Sequence, residues 1–141
     1  MIVLDTNVIS EIFRPHPDAH VVAWLESLTG DVAITAVTLA ELLAGVRRLP
    51  DGRRKKALSL RVEAAVEPYR NDRSVLSFDT VAAEQFADVL VARKAAAMPI
   101  STADAQIAAI CRVRNATCAT RNVTDFAHTG VDLLDPWKPR L

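Results

Sequence analysis

Five short apolar runs recur along this chain, and each gives way to a longer stretch of helical periodicity. They are Ile2 to Leu4, Val32 to Thr35, Val75 to Phe78, Thr117 to Thr120 and Val131 to Leu134. That rhythm confines the chain to an α/β architecture, because strands that are nearly all apolar need cover on both faces and parallel strands need helical crossovers to supply it. The intervening segments comply: His20 to Leu28 aligns Val21, Trp24, Leu25 and Leu28 on one stripe, and Val81 to Ala97 places Phe86, Val89 and Leu90 on another. A mainly parallel sheet of about five strands, sandwiched between helices, is the expected fold. No linker or repeat interrupts residues 1–141, so one domain is expected, with Asp135-Pro136-Trp137-Lys138-Pro139 as a terminal tail.

Half of the residues are hydrophobic and 24% are charged, which excludes disordered and low-complexity classes. Seventeen bases balance seventeen acids, so net charge gives the whole molecule no mandate to bind nucleic acid or anionic lipid. Its distribution is uneven. Met1 to Val46 holds Asp5, Glu11, Asp18, Glu26, Asp31 and Glu41 against Arg14 alone, whereas Arg47 to Arg61 holds Arg47, Arg48, Arg53, Arg54, Lys55, Lys56 and Arg61 against Asp51 alone. Cys111 and Cys118 sit among apolar neighbours and read as reduced core thiols. Asp5 breaks the apolar start, and no run approaches the roughly 20 apolar residues of a membrane span, so a soluble, cytoplasmic protein is expected.

In a parallel α/β sheet, ligands sit beyond the carboxyl ends of the strands, where loops and helix N-termini converge. This sequence delivers oxygen there repeatedly. Asp5-Thr6-Asn7 follows the first strand, Glu41 is expected within one helical turn of the second, Asp104 opens the Ser101 helix, and Arg121-Asn122 follows the fourth strand, with Asp125 three residues on. Each also has a plain structural explanation. Asp5 and Thr6 suit a helix N-cap, and both Thr38-Leu39-Ala40-Glu41 and Ser101-Thr102-Ala103-Asp104 have the form of a capping box. Glu41, however, shares a helical face with Val37, Ala44 and Gly45, and Asp104 with Ile107, Ala108 and Cys111. A carboxylate on a packing face must be neutralised, hydrogen-bonded or bound to a cation.

Oxygen-only ligands suit a hard cation, Mg²⁺ or Mn²⁺. Zinc lacks ligands: prolines bracket His16, His20 has no third partner nearby, and His128 is an isolated loop residue. A carboxylate-held Mg²⁺ is suited to phosphoryl transfer and phosphodiester hydrolysis.

The segments Ile2-Val3-Leu4-Asp5-Thr6-Asn7, Thr38-x-x-Glu41-Leu42-x-x-Gly45, Asp104-Ala105-x-Ile107-Ala108-Ala109 and Ala119-Thr120-Arg121-Asn122-x-x-Asp125-Phe126 resemble the PIN-domain ribonucleases. The nearest likeness is to the VapC/FitB-type toxins of bacterial toxin-antitoxin pairs, and it extends to the close from Gly130 through Pro136-Trp137. The resemblance implies an α/β/α sandwich, endonucleolytic RNA cleavage dependent on Mg²⁺ or Mn²⁺, a homodimer, and inhibition by a small DNA-binding antitoxin; whether dimers pair into a tetramer with the antitoxin is left open by the sequence. It further implies that Asp5, Glu41 and Asp104 are the principal metal-binding acids. By the same likeness Asn7 orients the first Asp, and Thr120 lies beside the pocket. The fourth acidic position of the family falls on Asn122 here, so either Asp125 supplies the fourth carboxylate from the next turn or the site has three acids and takes a second metal only with substrate; the favoured assignment is Asn122 as a lining residue and Asp125 as an outer ligand.

Water activated at such a site would attack phosphorus in line, leaving products with a 5′-phosphate, and one carboxylate would take the departing proton. Arg121 is the single residue best placed for a phosphate, and the basic run from Arg47 to Arg61 would track the backbone or simply form a solvated helix face. Early apolar residues such as Val22, Trp24 and Leu25 are core or partner surface, and Trp137 covers the core or a dimer seam. Two other enzymatic readings fail on residues. A receiver-like phosphoacceptor wants an acidic pair where Asp5-Thr6 stands, and a haloacid-dehalogenase-like phosphatase wants Asp where Asn7 stands. The rival is a noncatalytic RNA- or partner-binding module, because Asn122 thins the acid cluster.

Overall fold

A computed structural model describes residues 1–138. Strand β1 (Ile2–Leu4) leads into helix α1 (Thr6–Ser10), a 3-10 turn (Glu11–Phe13) and α2 (Ala19–Ser27). Next come β2 (Val32–Thr35), α3 (Ala36–Arg47), α4 (Arg53–Asn71) and β3 (Val75–Leu76). The remainder is α5 (Thr80–Ala95), α6 (Thr102–Arg114), β4 (Thr117–Ala119), a second 3-10 turn (Val123–Phe126) and β5 (Asp132–Leu134).

All five strands are parallel, in the order β3-β2-β1-β4-β5. Neighbouring strand residues alternate between two cores, as the two-residue period of a strand requires. Val3, Ala33 and Cys118 join Val89, Ile107, Ile110 and Phe126 on the side of α5 and α6. Leu4, Ile34 and Ala119 join Val8, Leu42, Val46, Val62 and Val66 on the other. This is the expected α/β/α sandwich. The third, fourth and fifth strands are shorter than their apolar runs: Phe78 leaves the sheet to pack edge-on against Phe86, with centroids 5.6 Å apart, and Thr120, its amide still bonded to the Leu134 carbonyl, commits its side chain to Asp5. Leu90 is 40% exposed, off the stripe that holds Phe86 and Val89.

Helix α3 begins three residues earlier than its capping-box pattern suggests. Thr35, still extended at the end of β2, is the N-cap, and its hydroxyl accepts from the Thr38 amide at 3.1 Å. Thr38, Leu42 and Val46 therefore form the buried stripe, and Glu41 lies one position round from it, exposed. Ser101 caps α6 as expected, accepting from the Asp104 amide at 3.1 Å. Gly52 holds the N-cap of α4, at φ 150°, and Asp51 beside it pairs with Lys55 at 3.2 Å. Cys111 and Cys118 are free and buried. Among the described residues no helix is long and apolar enough to cross a membrane.

Candidate active site

The strand order reverses at β1: β2 lies on one side and β4, reached only after four intervening helices, on the other. A crevice opens beyond the carboxyl ends of the strands at such a reversal. Leu4 pairs with Ala119 in the ladder, so the next residues out, Asp5 and Thr120, face each other across it. The Asp5 amide donates to the Ala119 carbonyl at 2.9 Å. Its carboxylate then accepts twice, at Oδ1 from the Thr6 amide and at Oδ2 from the Thr120 hydroxyl, both at 2.8 Å.

Asp5 is only 5% exposed. Burial lifts its carboxyl from 3.8 to about 6, against the pull of the two hydrogen bonds, and the charges of Asp104 and Glu41 add to the rise. Asp104, half-buried in the first turn of α6, is also raised, chiefly by burial. The Ser101 hydroxyl opposes that rise, the charges of Asp125 and Glu41 reinforce it, and the Arg93 guanidinium opposes it. Four carboxylates thus share one electrostatic field at the rim, drawn from the β1–α1 junction, α3, α6 and the second 3-10 turn.

Their convergence is looser than the sequence reading expected. Among the described residues no three His, Cys, Asp or Glu side chains stand close enough to hold an ion between them. Glu41, expected on a packing face, is exposed and accepts from the Thr6 hydroxyl at 2.7 Å, while that hydroxyl also lies 2.9 Å from the hydroxyl of buried Thr38. Thr38 and the orienting role of Thr6 were missed by sequence reasoning; the signal for Thr38 was its place on the buried stripe with Leu42 and Val46.

The fourth-strand segment wraps around the same rim. Asn7 accepts from the Arg121 amide at 3.3 Å, and Thr120 accepts from the Asn122 amide at 3.0 Å while donating to Asp5. Asn7 thus positions the β4 loop rather than the Asp5 carboxylate. Asn122 and Asp125 are both exposed, on either side of the turn closed by the Asp125 amide on the Asn122 carbonyl at 2.9 Å. The Arg121 guanidinium lies over the Trp137 ring at 5.0 Å from its centroid, and Trp137 packs on the core beside Leu134. Arg47, Arg48, Arg53, Arg54, Lys56 and Arg61 are exposed at the end of α3 and along α4. His16, His20 and His128 are also exposed.

The donor chemistry fits a hard divalent cation. Each Asp5 oxygen accepts a single hydrogen bond and keeps a second lone pair, and Mg²⁺ demands only one or two carboxylates because it retains several waters. A preformed three-carboxylate cage is therefore not required.

A family model described as the PIN domain matches residues 2–131. The VapC ribonuclease Y4jK of Sinorhizobium fredii is 38% identical over 140 residues, covering 99% of both chains. The toxin FitB of Neisseria gonorrhoeae is 41% identical over 138 residues, covering 97% of this chain and 99% of that one. A solved structure described as FitAB bound to an IR36 DNA fragment superimposes with a TM-score of 0.93 at 39% identity, covering 100% of this chain and 99% of that one. Sequence, sheet order and the acid-lined rim agree: the chain belongs to the PIN domain family.

Proposed function

We propose that this protein is the toxin of a toxin-antitoxin pair, an endoribonuclease that hydrolyses RNA phosphodiester bonds with Mg²⁺ or Mn²⁺. The observation that carries the reading is Asp5: a carboxylate buried at the sheet's reversal, held by two donors and raised in pKa beside Asp104 and Glu41. Burying a carboxylate at a rim that already holds like charge costs stability, and that cost is offset when a cation binds.

Asp5 and Asp104 would hold the ion, Glu41 and Asp125 would reach it directly or through water, and the ion would supply an activated water and charge neutralisation at phosphorus. The chain's own groups do the rest. Thr6 and Thr120 fix the Asp5 carboxylate, Thr6 orients Glu41, and a carboxylate accepts the proton released at the attacking oxygen. Asn122 lines the rim, and release of Arg121 from Trp137 would place a guanidinium on substrate phosphate. Arg53, Arg54 and Lys56 offer exposed charge for the flanking RNA backbone. The relatives named toxin FitB and VapC ribonuclease support this reading, as does a FitAB complex described on DNA. The partner is accordingly a small DNA-binding antitoxin, and the toxin acts in the cytoplasm as a homodimer.

The test is cleavage of structured RNA by purified protein with Mn²⁺ or Mg²⁺, then with EDTA, alongside Asp5→Asn and Asp104→Asn. Metal-dependent cleavage lost in both variants is expected. Cleavage indifferent to both, or no cleavage with any metal, would leave the noncatalytic binding module as the better account.

A further inference from the structure

Arg93, near the end of α5, is 3% exposed, yet among the described residues it forms no ion pair. Its partners are backbone carbonyls from two separate loops. Nε donates to Met98 O and Nη2 to Pro99 O, each at 2.8 Å; Nη1 donates to Asp125 O at 2.7 Å and to Ala127 O at 2.8 Å. The Met98 amide returns to the Arg93 carbonyl at 2.9 Å. The first loop runs straight into α6 and Asp104; the second is the turn that carries Asp125. Beside the clamped carbonyls, Ala97 and His128 adopt left-handed backbone, φ 55° and 58°. Such conformations persist in residues other than Gly where surroundings over-determine them.

An apolar replacement would leave four main-chain carbonyls without their donor, so a loss of stability is expected in any case and cannot by itself reveal what else Arg93 does. What the guanidinium does uniquely is join two acid-bearing segments to one helix. Resting on the nuclease reading above, we propose that Arg93 is a positioning residue of the metal site: by clamping the 97–101 loop and the Val123–Phe126 turn to α5, it keeps the carboxylates of Asp104 and Asp125 in register with Asp5.

The two conceivable roles of Arg93 have opposite signs, which makes the test decisive. If only its charge mattered, removing it would make the rim more negative and tighten Mn²⁺; if it positions ligands, removing it weakens Mn²⁺ by about tenfold or more, the usual penalty for losing a group that orients a ligand. Full-length wild type, Arg93→Met and Arg93→Lys are compared by Mn²⁺ binding (electron paramagnetic resonance of the free ion), by hydrogen exchange of residues 97–101 and 122–128, and by kcat and KM on RNA. The expected result for Arg93→Met is native circular dichroism, faster exchange in both loops together, Mn²⁺ affinity down about tenfold and kcat down with KM little changed. Lys, which reaches fewer of the four carbonyls, should recover part of each loss and decides the matter if Met does not fold. Unchanged or tighter Mn²⁺ binding would overturn the proposal, as would an effect on melting temperature alone or a wild type that binds no Mn²⁺. Mn²⁺ binding without RNA cleavage would overturn the nuclease reading while leaving Arg93's role decided by exchange and affinity.

Discussion

Asp5 is the buried carboxylate on which the proposed chemistry rests, and its elevated pKa has a consequence for stability. An increase from 3.8 to about 6 corresponds to about 3 kcal/mol. The folded protein therefore holds a proton that the unfolded chain has already released between those values. Stability from this group is fully present below pH 3.8 and is lost as pH rises through about 6. In EDTA, Asp5→Asn should remove that slope and raise the unfolding free energy at pH 7.5 by about 1–3 kcal/mol; with Mn²⁺ restored, the same variant should be inactive on RNA that the wild type cleaves. Urea midpoints of both proteins from pH 4 to pH 8 check it; parallel curves would refute it. Thr120→Val withdraws a donor from the same carboxylate, so the acid limb of the pH–rate profile should move up by about one pH unit. Sequence reasoning found Asp5 and Thr120 because a residue following an apolar run has a defined place at the strand's end. It found Glu41 in the right neighbourhood but on the wrong face, since the buried stripe runs through Thr38, Leu42 and Val46, and one position round a helix is about 100°. Arg93 was illegible: its partners are main-chain carbonyls, which leave no trace in side-chain spacing.

Among the elements, α3 and α6 do most to place the acids, and both are set by caps. Thr35 is fully buried and closes β2 onto α3 without a loop, so Thr35→Val should cost about 1–2 kcal/mol in chemical denaturation and loosen Glu41. At the other end of α6, Asn115 occupies the left-handed C-cap at φ 50°, ψ 43°. Glycine suits that conformation better than any residue with a Cβ, so Asn115→Gly should leave stability unchanged or raise it by up to about 1 kcal/mol, with activity intact. Thermal melts would show this, and a fall of several degrees would contradict it. Strand existence and order of appearance were readable from apolar runs. Strand ends were not, because Phe78 packs edge-on against Phe86 beyond its strand, and Thr120, its amide still bonded to the Leu134 carbonyl, commits its side chain to Asp5.

Across the whole molecule, zero net charge conceals an acidic rim and an exposed basic flank on α4. Attraction of RNA to that flank would show as salt dependence: Arg53→Gln with Arg54→Gln should weaken RNA binding and shallow the logarithmic salt slope by roughly one per lost phosphate contact. A slope equal to wild type would mean that α4 is a solvated face. On the same side of the sheet, between α2 and α4, lies a groove of about 630 Å³ lined by Ile12, Val22, Leu25 and Tyr69, which gives the early apolar residues a partly open surface rather than a closed core. Sandwich and rim were legible from the alternation of runs and helices together with four motifs in order. The looseness of the acids was not, because side-chain separation depends on rotamers that spacing does not encode.

The central claim is that Asp5 and Asp104 share one divalent ion. Anomalous scattering from a Mn²⁺-soaked crystal tests it most directly: the account predicts a peak at the β1–β4 rim, within coordination distance, about 2.1 Å, of oxygens from both carboxylates, and absent in Asp104→Asn. Mn²⁺ bound elsewhere, with Asp5 still held only by Thr6 and Thr120, would contradict it.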